Sequence, residues 1–361
     1  MKFSVIIPCY NHGVFLSDAI NSLITQSYNN WEAIIVNDGS TDRTLEISNY
    51  WCNKDSRVKL ISVSNNGLSS ARNVGIKNST GELIAMLDAD DKYEFNHLQS
   101  ILNVFQTGSE IVFTGYKYFS DSTLINHSVR LSKSINFQQI LDGNIVPPVA
   151  VAFKRSIFEF SGGFDTSLKS AEDWDLWIRI YKIGSFLGIS EESSALYRIT
   201  PNSMSRQFLI MYDALKSVSI QAYSFDDRIS IEHPLNKTYI NKNSVSIKKN
   251  LLLCLGVAIL QNKNSIAINL IRREIEIFQF TFKSTDFKYL CSYLSFRYHV
   301  SKIDLNWVFE ILHPQFLAFF KELNLPGLDI NKTMKEVFSI HNKILNKQKW
   351  GILSPLVNRI S

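Results

Sequence analysis

The sequence predicts an α/β protein built on a doubly wound, mostly parallel sheet, followed by an α-helical C-terminal domain. Two observations support this class. In the first 115 or so residues, apolar runs of strand length alternate with amphipathic helical patterns, which is typical of a parallel sheet covered by helices. From about residue 207 the sequence becomes rich in lysine and asparagine, and its apolar residues follow long helical spacings.

Four strands are predicted in the N-terminal region, each separated from the next by a helical pattern. These strands are Phe3–Ile7, Trp31–Val36, Val58–Val63 and Leu83–Leu87. The intervening helices cover residues 15–24, a segment around Leu45 and Ile47 that Thr41 or Asp42 can cap, and residues 69–78.

Beyond the fourth strand the pattern is less regular. The predicted elements are a helix at 97–105, a strand at 110–118, a short helix at 137–141, a strand at 149–153 and an amphipathic helix at 170–183. Three long helical patterns follow, at 251–260, 266–282 and 307–320. We therefore predict an α/β domain over 1–205, a linker over 206–225 and an α-helical domain over 226–361.

The composition is that of an ordinary globular protein, with 361 residues of which 45% are hydrophobic and 20% charged. The four cysteines are scattered without a close pair, which favours reduced thiols over a disulfide framework or a zinc site. The first apolar run is stopped by Pro8, which indicates a strand and not a signal peptide. The longest later run, residues 251–260, is half the ~20 residues of a membrane span, so no transmembrane helix is predicted.

The net charge of +5 is divided unevenly along the chain. Residues 1–205 hold 17 Lys and Arg against 21 Asp and Glu, whereas residues 206–361 hold 21 against 12. A basic C-terminal part suits an anionic membrane surface or an acidic acceptor, but a solvated basic face explains the same charge. Because no nucleic-acid-binding motif accompanies the charge, nucleic acid is not an expected partner.

Polar residues follow the predicted strands at their C-terminal ends. The segments are Pro8-Cys9-Tyr10-Asn11, Asn37-Asp38-Gly39-Ser40, Asn66 through Asn73, and Asp88-Ala89-Asp90-Asp91. Parallel strands place these ends on one edge of the sheet, which is where ligands bind in open α/β folds. Any one of them could be a simple turn. Three carboxylates within four residues, however, repel one another unless a cation is present, and oxygen ligands suit Mg²⁺ or Mn²⁺.

As an ordered set, these segments resemble the family 2 glycosyltransferases, which are nucleotide-sugar-dependent enzymes of the GT-A fold. The resemblance includes Val5 through Asn11, Val36 through Asp42, Gly67 through Asn73, Asp88 through Asp91 and Glu172-Asp173-Trp174, and it covers about residues 1–205. It implies a GT-A catalytic domain that inverts the anomeric centre. The C-terminal part carries no recognised signature.

The resemblance assigns the nucleotide to the first three polar segments. Pro8, Tyr10 and Asn11 match the opening loop that holds it, and Tyr10 would pack on the base or ribose unless it is a buried aromatic. Asp38 matches the acid that binds the base, although an Asx-turn before the next helix would explain it as well. Arg72 matches an arginine near the base and diphosphate, with a helix-surface salt bridge as the alternative.

The carboxylates after the fourth strand match the family's Asp-x-Asp pair. The resemblance implies that Asp88 faces the ribose or the metal and that Asp90 coordinates Mn²⁺ or Mg²⁺ carrying the diphosphate. Asp91 would lie just beyond, near the donor sugar. Arg198, with residues 202–205, resembles a segment that closes over the diphosphate, although a polar linker explains the same residues.

A second acidic cluster, Ser170 through Asp175, opens the amphipathic helix. Ser170 as N-cap with Asp173 in capping-box position would explain it structurally. The resemblance instead makes Asp173 the general base, ionised with help from the helix N-terminus, and Glu172 an acceptor-positioning residue. Asp175 is the alternative base.

Two further residues are assigned to the acceptor side. Trp174 would stack on an acceptor sugar or belong to the core. Gly163, in Gly162-Gly163-Phe164-Asp165, matches a turn that shapes the acceptor side, where glycine permits positive φ.

The resemblance therefore implies transfer of a sugar, most often from a UDP-sugar, to a glycan or lipid-linked glycan in the bacterial cytoplasm or at the inner face of the plasma membrane. No Gln-x-x-Arg-Trp stretch is present, which argues against a processive membrane synthase. A sugar nucleotidyltransferase is disfavoured because the loop after the first strand is not glycine-rich. A non-catalytic nucleotide-sugar-binding or scaffolding module is the rival from another class. The C-terminal domain would act as an acceptor lid, a homodimer interface or a membrane-docking surface.

Overall fold

The computed structural model describes residues 1–119, 128–132, 134–199, 207–239, 243–291 and 305–339. It divides into two compact units. The first holds the described residues up to 199 together with residues 217–239, and the second holds residues 207–216 and the described residues from 244 onward. This division differs from the predicted domain boundaries, since the predicted linker at 206–225 contains a helix and residues 226–239 group with the sheet.

The first unit is built on a nine-stranded sheet. Its strands are β1 (Phe3–Cys9), β2 (Trp31–Asp38), β3 (Val58–Val63), β4 (Leu83–Met86), β5 (Lys92–Tyr93), β6 (Ile111–Phe119), β7 (Ser128–Val129), β8 (Val151–Lys154) and β9 (Leu187–Arg198). The strand order is β3-β2-β1-β4-β8-β6-β9-β5, with β7 paired to β6. Strands β1 to β4 are parallel to one another, as predicted, whereas β8 runs antiparallel between β4 and β6.

Helices connect these strands and cover the sheet. They are α1 (Gly13–Ile24), α2 (Thr44–Lys54), α3 (Leu68–Lys77), α4 (His97–Phe105), α5 (Phe137–Leu141), α6 (Arg155–Phe160) and α7 (Glu172–Lys182). A further helix, α8 (Phe208–Ala222), follows β9, and its residues are divided between the two units. The predicted helices at α1 to α5 and α7 are confirmed to within a few residues. Strand β9 was not predicted.

The central strands are apolar because both of their faces are covered. Every residue of β1, β2 and β4 is buried, which is typical of parallel strands between two helical layers. Helix α3 packs closely on this sheet at Gly75, where a Cβ atom would lie 2.6 Å from Ile6 Cγ2 and 3.0 Å from Val36 Cγ2. The absence of a side chain at Gly75 therefore fixes the height of α3 above the sheet, and with it the position of Arg72.

The second unit is α-helical, in agreement with the prediction. Its elements are α9 (Asn243–Leu260), α10 (Asn264–Phe278), a 3-10 helix at Ser284–Cys291, α11 (Leu305–Leu323) and a helical segment at 330–339. Their apolar side chains form one buried cluster that includes Leu251, Leu255, Ile271, Phe316 and Phe320.

Within the described residues, one helix is long and apolar enough to cross a membrane. This is α9, which extends the predicted apolar run toward the N-terminus by eight residues. Most of α9 is buried in the core of its own unit. Because core helices share this length and composition, α9 is weak evidence of a membrane span.

Candidate functional site

The loops after β1 and β2 meet at the C-terminal edge of the sheet. Asn11 adopts a left-handed conformation, with φ of 55°. Its backbone N–H donates to Ser40 Oγ at 3.0 Å, and its Oδ1 accepts from the backbone N–H of Thr41 at 2.8 Å. Asn11 therefore joins the two loops, in addition to any contact with a ligand.

Tyr10 and Pro8 lie in different surroundings. The Tyr10 side chain is 48% exposed, so the alternative of a buried aromatic is wrong. Pro8 is a buried residue of β1 opposite Val36, and thus it belongs to the strand and not to the loop that the sequence predicted. Of this pair, only Tyr10 presents its ring at the surface of the sheet edge.

Asp38 is 3% exposed and holds the loop that leads into α3. Its Oδ1 accepts from the backbone N–H of Asn66 and its Oδ2 from that of Gly67, both at 2.9 Å. Asp38 does not form an Asx-turn, because both of its oxygens accept from the loop before α3, and it is Asn37 Oδ1 that accepts from Ser40 N–H, at 3.1 Å.

Arg72 of α3 is 1% exposed and joins two acidic segments. Its Nη2 lies 2.8 Å from Asp88 Oδ1 and 3.1 Å from Asp88 Oδ2, and its Nη1 donates to Glu172 Oε1. Burial alone would lower the pKa of Arg72, but the charges of Asp88 and Glu172 raise it. The alternative of a helix-surface salt bridge is therefore wrong, because the guanidinium is an internal cation between the two predicted halves of the site.

The three carboxylates after β4 differ in their partners. Asp88 is paired with Arg72, as described above. Burial raises the pKa of Asp90, and the charge of Asp88 raises it further. Asp91 is fully buried, and burial and the charge of Asp90 raise its pKa as well. Its Oδ1 accepts from Arg198 N–H at 2.8 Å, whereas its Oδ2 has no hydrogen-bond partner.

Arg198, at the end of β9, is buried beside these carboxylates. Its guanidinium carbon lies 4.7 Å from the ring centroid of Phe15 and 4.5 Å from that of Phe119. Its Nη2 donates to Asp18 at 2.9 Å and its Nε to the backbone carbonyl of Asp90 at 2.5 Å. Through its backbone N–H and its Nε, Arg198 binds the loop at Asp91 and Asp90 and holds it beside the end of β9. The predicted companion segment, residues 202–205, lies outside the described residues.

Helix α7 begins with the second acidic cluster, and its cap differs from the sequence expectation. The N-cap is Ala171, in a left-handed conformation with φ of 58°, and no side chain caps the helix. Ser170 and Asp173 therefore do not form a capping box. Instead, Asp173 Oδ1 accepts from Trp174 N–H at 2.8 Å, and Asp173 Oδ2 accepts from Asn144 Nδ2 at 2.7 Å.

The ionisation of Asp173 also differs from the expectation that the helix terminus would favour its charged form. The side chain is 7% exposed. Burial and the neighbouring charge of Glu172 raise the pKa of Asp173 to about 7, against the lowering effects of Asn144 and Arg72. A carboxylate with a pKa near neutrality is well matched to accepting a proton during a reaction.

The alternative base, Asp175, is occupied by two arginines. Its Oδ2 lies 2.7 Å from Arg179 Nη2, and its Oδ1 lies 2.8 Å from Arg228 Nη2. Arg228 also pairs with Asp165 and Asp226, both at 2.7 Å. Asp175 is therefore the centre of a structural ion network, whereas Asp173 makes no ion pair within the described residues.

Trp174 and the turn at Gly163 are both fixed by hydrogen bonds to neighbouring segments. Trp174 is 1% exposed and its Nε1 donates to the carbonyl of Ile140 at 2.6 Å, so the predicted stacking on an acceptor sugar is wrong. Gly163 has a φ of 74°, and the turn that it forms is held by Asn73, whose amide exchanges two hydrogen bonds with the backbone of Phe164.

Comparison with known proteins identifies the family. A model described as Glycosyl transferase family 2 matches residues 4–161. TuaG of Bacillus subtilis, described as a putative teichuronic acid biosynthesis glycosyltransferase, is 30% identical over 206 residues, which cover 56% of this chain and 81% of TuaG. The chain belongs to glycosyltransferase family 2.

One curated relative is considerably longer than this chain. An uncharacterized glycosyltransferase of Rickettsia conorii is 34% identical over 202 residues, which cover 54% of this chain and 32% of that relative. The matched region thus spans about a third of the rickettsial protein's length.

Solved structures confirm the GT-A prediction for this family 2 chain. TarS 1–349 of S. aureus, in complex with UDP-GlcNAc, has a TM-score of 0.55 at 18% identity, covering 94% of this chain and 92% of that one. The mannosyltransferase PcManGT of Pyrobaculum calidifontis, in complex with GDP-Man and Mn²⁺, has a TM-score of 0.53 at 17% identity, with coverages of 82% and 84%. At these identities the likeness shows the fold.

Two residues of the site were not found from the sequence. Asn144 lies in a loop 29 positions before the acid that it contacts, and Arg228 lies 53 positions after Asp175. Neither belongs to a family motif or to a periodic pattern, and only the folded chain brings them to α7. The Pro147-Pro148 pair, three residues after Asn144, is the nearest local signal in the sequence.

Proposed function

We propose that this chain is an inverting glycosyltransferase that moves a sugar from a nucleotide-sugar to a hydroxyl group by a single displacement. The observation that carries the proposal is the Asp173 carboxylate. It is buried beside Glu172, has a pKa raised to about 7, and is linked through Glu172 and Arg72 to the Asp88 carboxylate on the donor side.

In this proposal Asp173 accepts the proton of the acceptor hydroxyl. The hydroxyl oxygen forms a bond to the anomeric carbon while the bond from that carbon to the diphosphate breaks, and the electron pair leaves with the nucleoside diphosphate. Because attack and departure occur on opposite faces, the anomeric configuration inverts. General-base assistance of this kind contributes about 10²- to 10⁴-fold to a rate.

The donor set after β4 fits a divalent metal ion. Among the described residues, the Asp90 carboxylate has no ion pair within 4 Å, although the charges of His12 and Arg198 lower its pKa, and Asp91 Oδ2 is a buried oxygen without a partner. No group of three or more acidic, histidine or cysteine side chains is placed to hold a metal in the described part of the chain. Mg²⁺ or Mn²⁺ would instead be held by Asp90, with Asp88 nearby, since such ions often take one or two carboxylates and complete their shell with phosphate oxygens and water. The ion would offset negative charge on the departing diphosphate.

The nucleotide is assigned to the edge formed by β1 and β2. Tyr10 has an exposed ring that can stack on a base, and Asp38 and Asn11 fix the loops around it. A UDP-sugar is the proposed donor. The TarS complex contains UDP-GlcNAc, which supports this choice, whereas the PcManGT complex contains GDP-Man, so the nucleotide must be measured.

The proposed acceptor is a glycan or a lipid-linked glycan, and the proposed location is the bacterial cytoplasm, at or near the inner face of the plasma membrane. TuaG, named for teichuronic acid biosynthesis, supports a cell-envelope polysaccharide. The excess of basic residues after position 205 supports contact with anionic lipid or acceptor. An acceptor lid or a homodimer interface is the alternative role for the helical unit, and a solvated basic face is the alternative explanation of its charge.

Calorimetric titration tests the donor side. UDP, GDP, CDP and dTDP are titrated into the full chain with Mn²⁺, with Mg²⁺ and with EDTA. We expect one nucleotide to bind tightly, and its binding to be lost with EDTA and in Asp90→Ala. If none binds under any condition, the glycosyltransferase proposal fails and a scaffolding role becomes the better explanation.

A further inference from the structure

We propose that Asn144 is an acceptor-side positioning residue. Its amide N–H donates a hydrogen bond to the carboxylate of Asp173, and its amide oxygen accepts a hydrogen bond from the hydroxyl of the acceptor. This inference rests on the proposed function, and it extends that function to a residue outside the family motifs. It is carried by the contact between Asn144 and Asp173 and by the exposure of Asn144 beside a buried acid.

The two oxygens of Asp173 are held by different donors. Oδ1 accepts from Trp174 N–H, a contact made by the backbone of the same helix. Oδ2 accepts from Asn144 Nδ2 at 2.7 Å, a contact made from another segment. Asn144 is exposed, whereas Asp173 is buried. Of the two residues that donate to Asp173, Trp174 is buried and Asn144 is the one that reaches solvent.

The chemistry of the amide determines which atom is left for a ligand. A carboxylate offers only acceptors when ionised, so the amide nitrogen of Asn144 must face Asp173. The amide oxygen then remains, and in the described part of the chain it has no hydrogen-bond partner. A hydroxyl has one O–H donor, and as it approaches the base it can donate either to the amide oxygen of Asn144 or to a carboxylate oxygen of Asp173.

Asn144 is held in place by the elements around it. Helix α5, which precedes it, has a capping box at Asn136. Trp174 of α7 donates to the carbonyl of Ile140 in α5, so the two helices are tied together next to the contact. Asn144 follows the end of α5 by three residues, so its contact with Asp173 lies beside the junction of these two helices.

Charged side chains near Asp173 come from its own helix, from α3 and from the segment that carries Asn144. Glu172 lies on the same helix, and Arg72 of α3 pairs with both Glu172 and Asp88. The segment of Asn144 has one other charged residue, Asp142, whose Oδ1 accepts from Tyr223 at 2.6 Å. Burial and Glu172 raise the pKa of Asp173, and the hydrogen bond from Asn144 lowers it. Removal of that bond should therefore raise the pKa of Asp173.

The first test is the pH dependence of turnover. Release of nucleoside diphosphate is measured with water as acceptor, using the sugar conjugate of whichever nucleotide binds. In Asn144→Ala, the acidic limb of kcat/KM should move to higher pH by about 1 pH unit, as expected for loss of one hydrogen bond to a charged group. Nucleotide Kd should not change. Asn144→Asp removes the donor and adds a negative charge, so the acidic limb of its kcat/KM profile should move to still higher pH.

Asn103→Ala is the matched control, since Asn103 is also exposed and its amide oxygen accepts from Gln99 of the same helix. Its profile should match that of the wild type. If Asn144→Ala lowers turnover equally at every pH without moving the limb, Asn144 has a merely structural role and the inference is overturned.

A second readout separates this inference from the proposed function. The carboxyl ¹³C resonance of Asp173 is titrated by NMR in the wild type and in Asn144→Ala, with no donor present. If the wild type turns over no nucleotide-sugar but the pKa of Asp173 is higher in the variant, the proposed function fails while the hold of Asn144 on Asp173 stands. Equal pKa values in the two proteins would refute that hold.

Discussion

The Nη2 atom of Arg72 lies within 3.1 Å of both carboxylate oxygens of Asp88. Through its other terminal nitrogen, the same guanidinium binds Glu172, the residue before the proposed base. One buried cation thus connects the acidic loop after β4 to the start of α7. A change in the charge of one carboxylate segment therefore changes the electrostatic potential at the other.

Arg72→Ala should strongly destabilise the fold. It would leave Glu172 buried without its cation and Asp88 without its partner, and breaking a buried ion pair costs about 3 to 5 kcal/mol of unfolding free energy. Urea denaturation followed by circular dichroism measures this loss. Arg43→Ala is the control, because Arg43 and Glu46 form an exposed pair that should contribute little. Similar stability losses in the two variants would show that the Arg72 network does not support the fold.

Substitutions of two neighbouring acids should separate catalysis from structure. Asp173→Asn should lower turnover by about 10²- to 10⁴-fold while nucleotide binding persists, because the amide cannot accept the proton. Asp175→Asn should instead lower the unfolding free energy by about 3 kcal/mol, since it weakens contacts to Arg179 and Arg228. Both variants are measured for turnover, nucleotide binding and denaturant midpoint. Full turnover in Asp173→Asn would remove it from the mechanism.

The parallel half of the sheet could be predicted because its strands are continuous apolar runs. In β1 and β4 both faces are buried and every residue except Ser4 is apolar, so the runs are visible without knowledge of their partners. Strand β9 was missed for the opposite reason. Its centre carries Glu191 and Glu192, and its pairing with β6 shifts register near Gly115, so no alternating pattern marks it.

The site could be predicted as a set of loops but not as a set of contacts. The shared edge of parallel strands brought the polar segments together as expected. Whether Arg72 faces a ligand or two internal carboxylates depends on the height of α3 above the sheet, which only the packing at Gly75 reveals. Likewise, the contact of Asn144 with Asp173 depends on the docking of α5 against α7, which no local pattern encodes.

The pKa of Asp173 predicts opposite effects of pH on activity and on stability. The base must be deprotonated, so kcat/KM should fall as pH drops below about 7. The fold, by contrast, favours the protonated acid, because burial raises the pKa of Asp173 above its usual value of 3.8. Between these two pKa values the folded state binds more protons than the unfolded state, so this residue lowers stability as pH rises from about 4 to 7.

Denaturation of the wild type and Asp173→Asn at several pH values checks the stability effect. The variant should gain stability relative to the wild type as pH rises to 7, and the difference should level off above that pH. A difference that is constant from pH 4 to pH 8 would mean that the Asp173 carboxyl titrates in the fold as it does in the unfolded chain.

Gly163→Ala should destabilise the turn that Asn73 holds against α3. An alanine at φ of 74° is strained, and its Cβ would lie 3.2 Å from Asn73 Oδ1 and 3.2 Å from the Phe158 ring. We expect a loss of about 1 to 3 kcal/mol in unfolding free energy, measured by urea denaturation.

Gly108→Ala separates the two causes, since Gly108 has a φ of 99° but nothing within 4 Å of an added Cβ. If both variants lose the same amount, backbone strain alone explains the effect; a larger loss at Gly163 measures the close approach of the turn to Asn73. Because Asn73 lies next to Arg72 in α3, that larger loss should be accompanied by weaker nucleotide binding, which Gly108→Ala should leave unchanged.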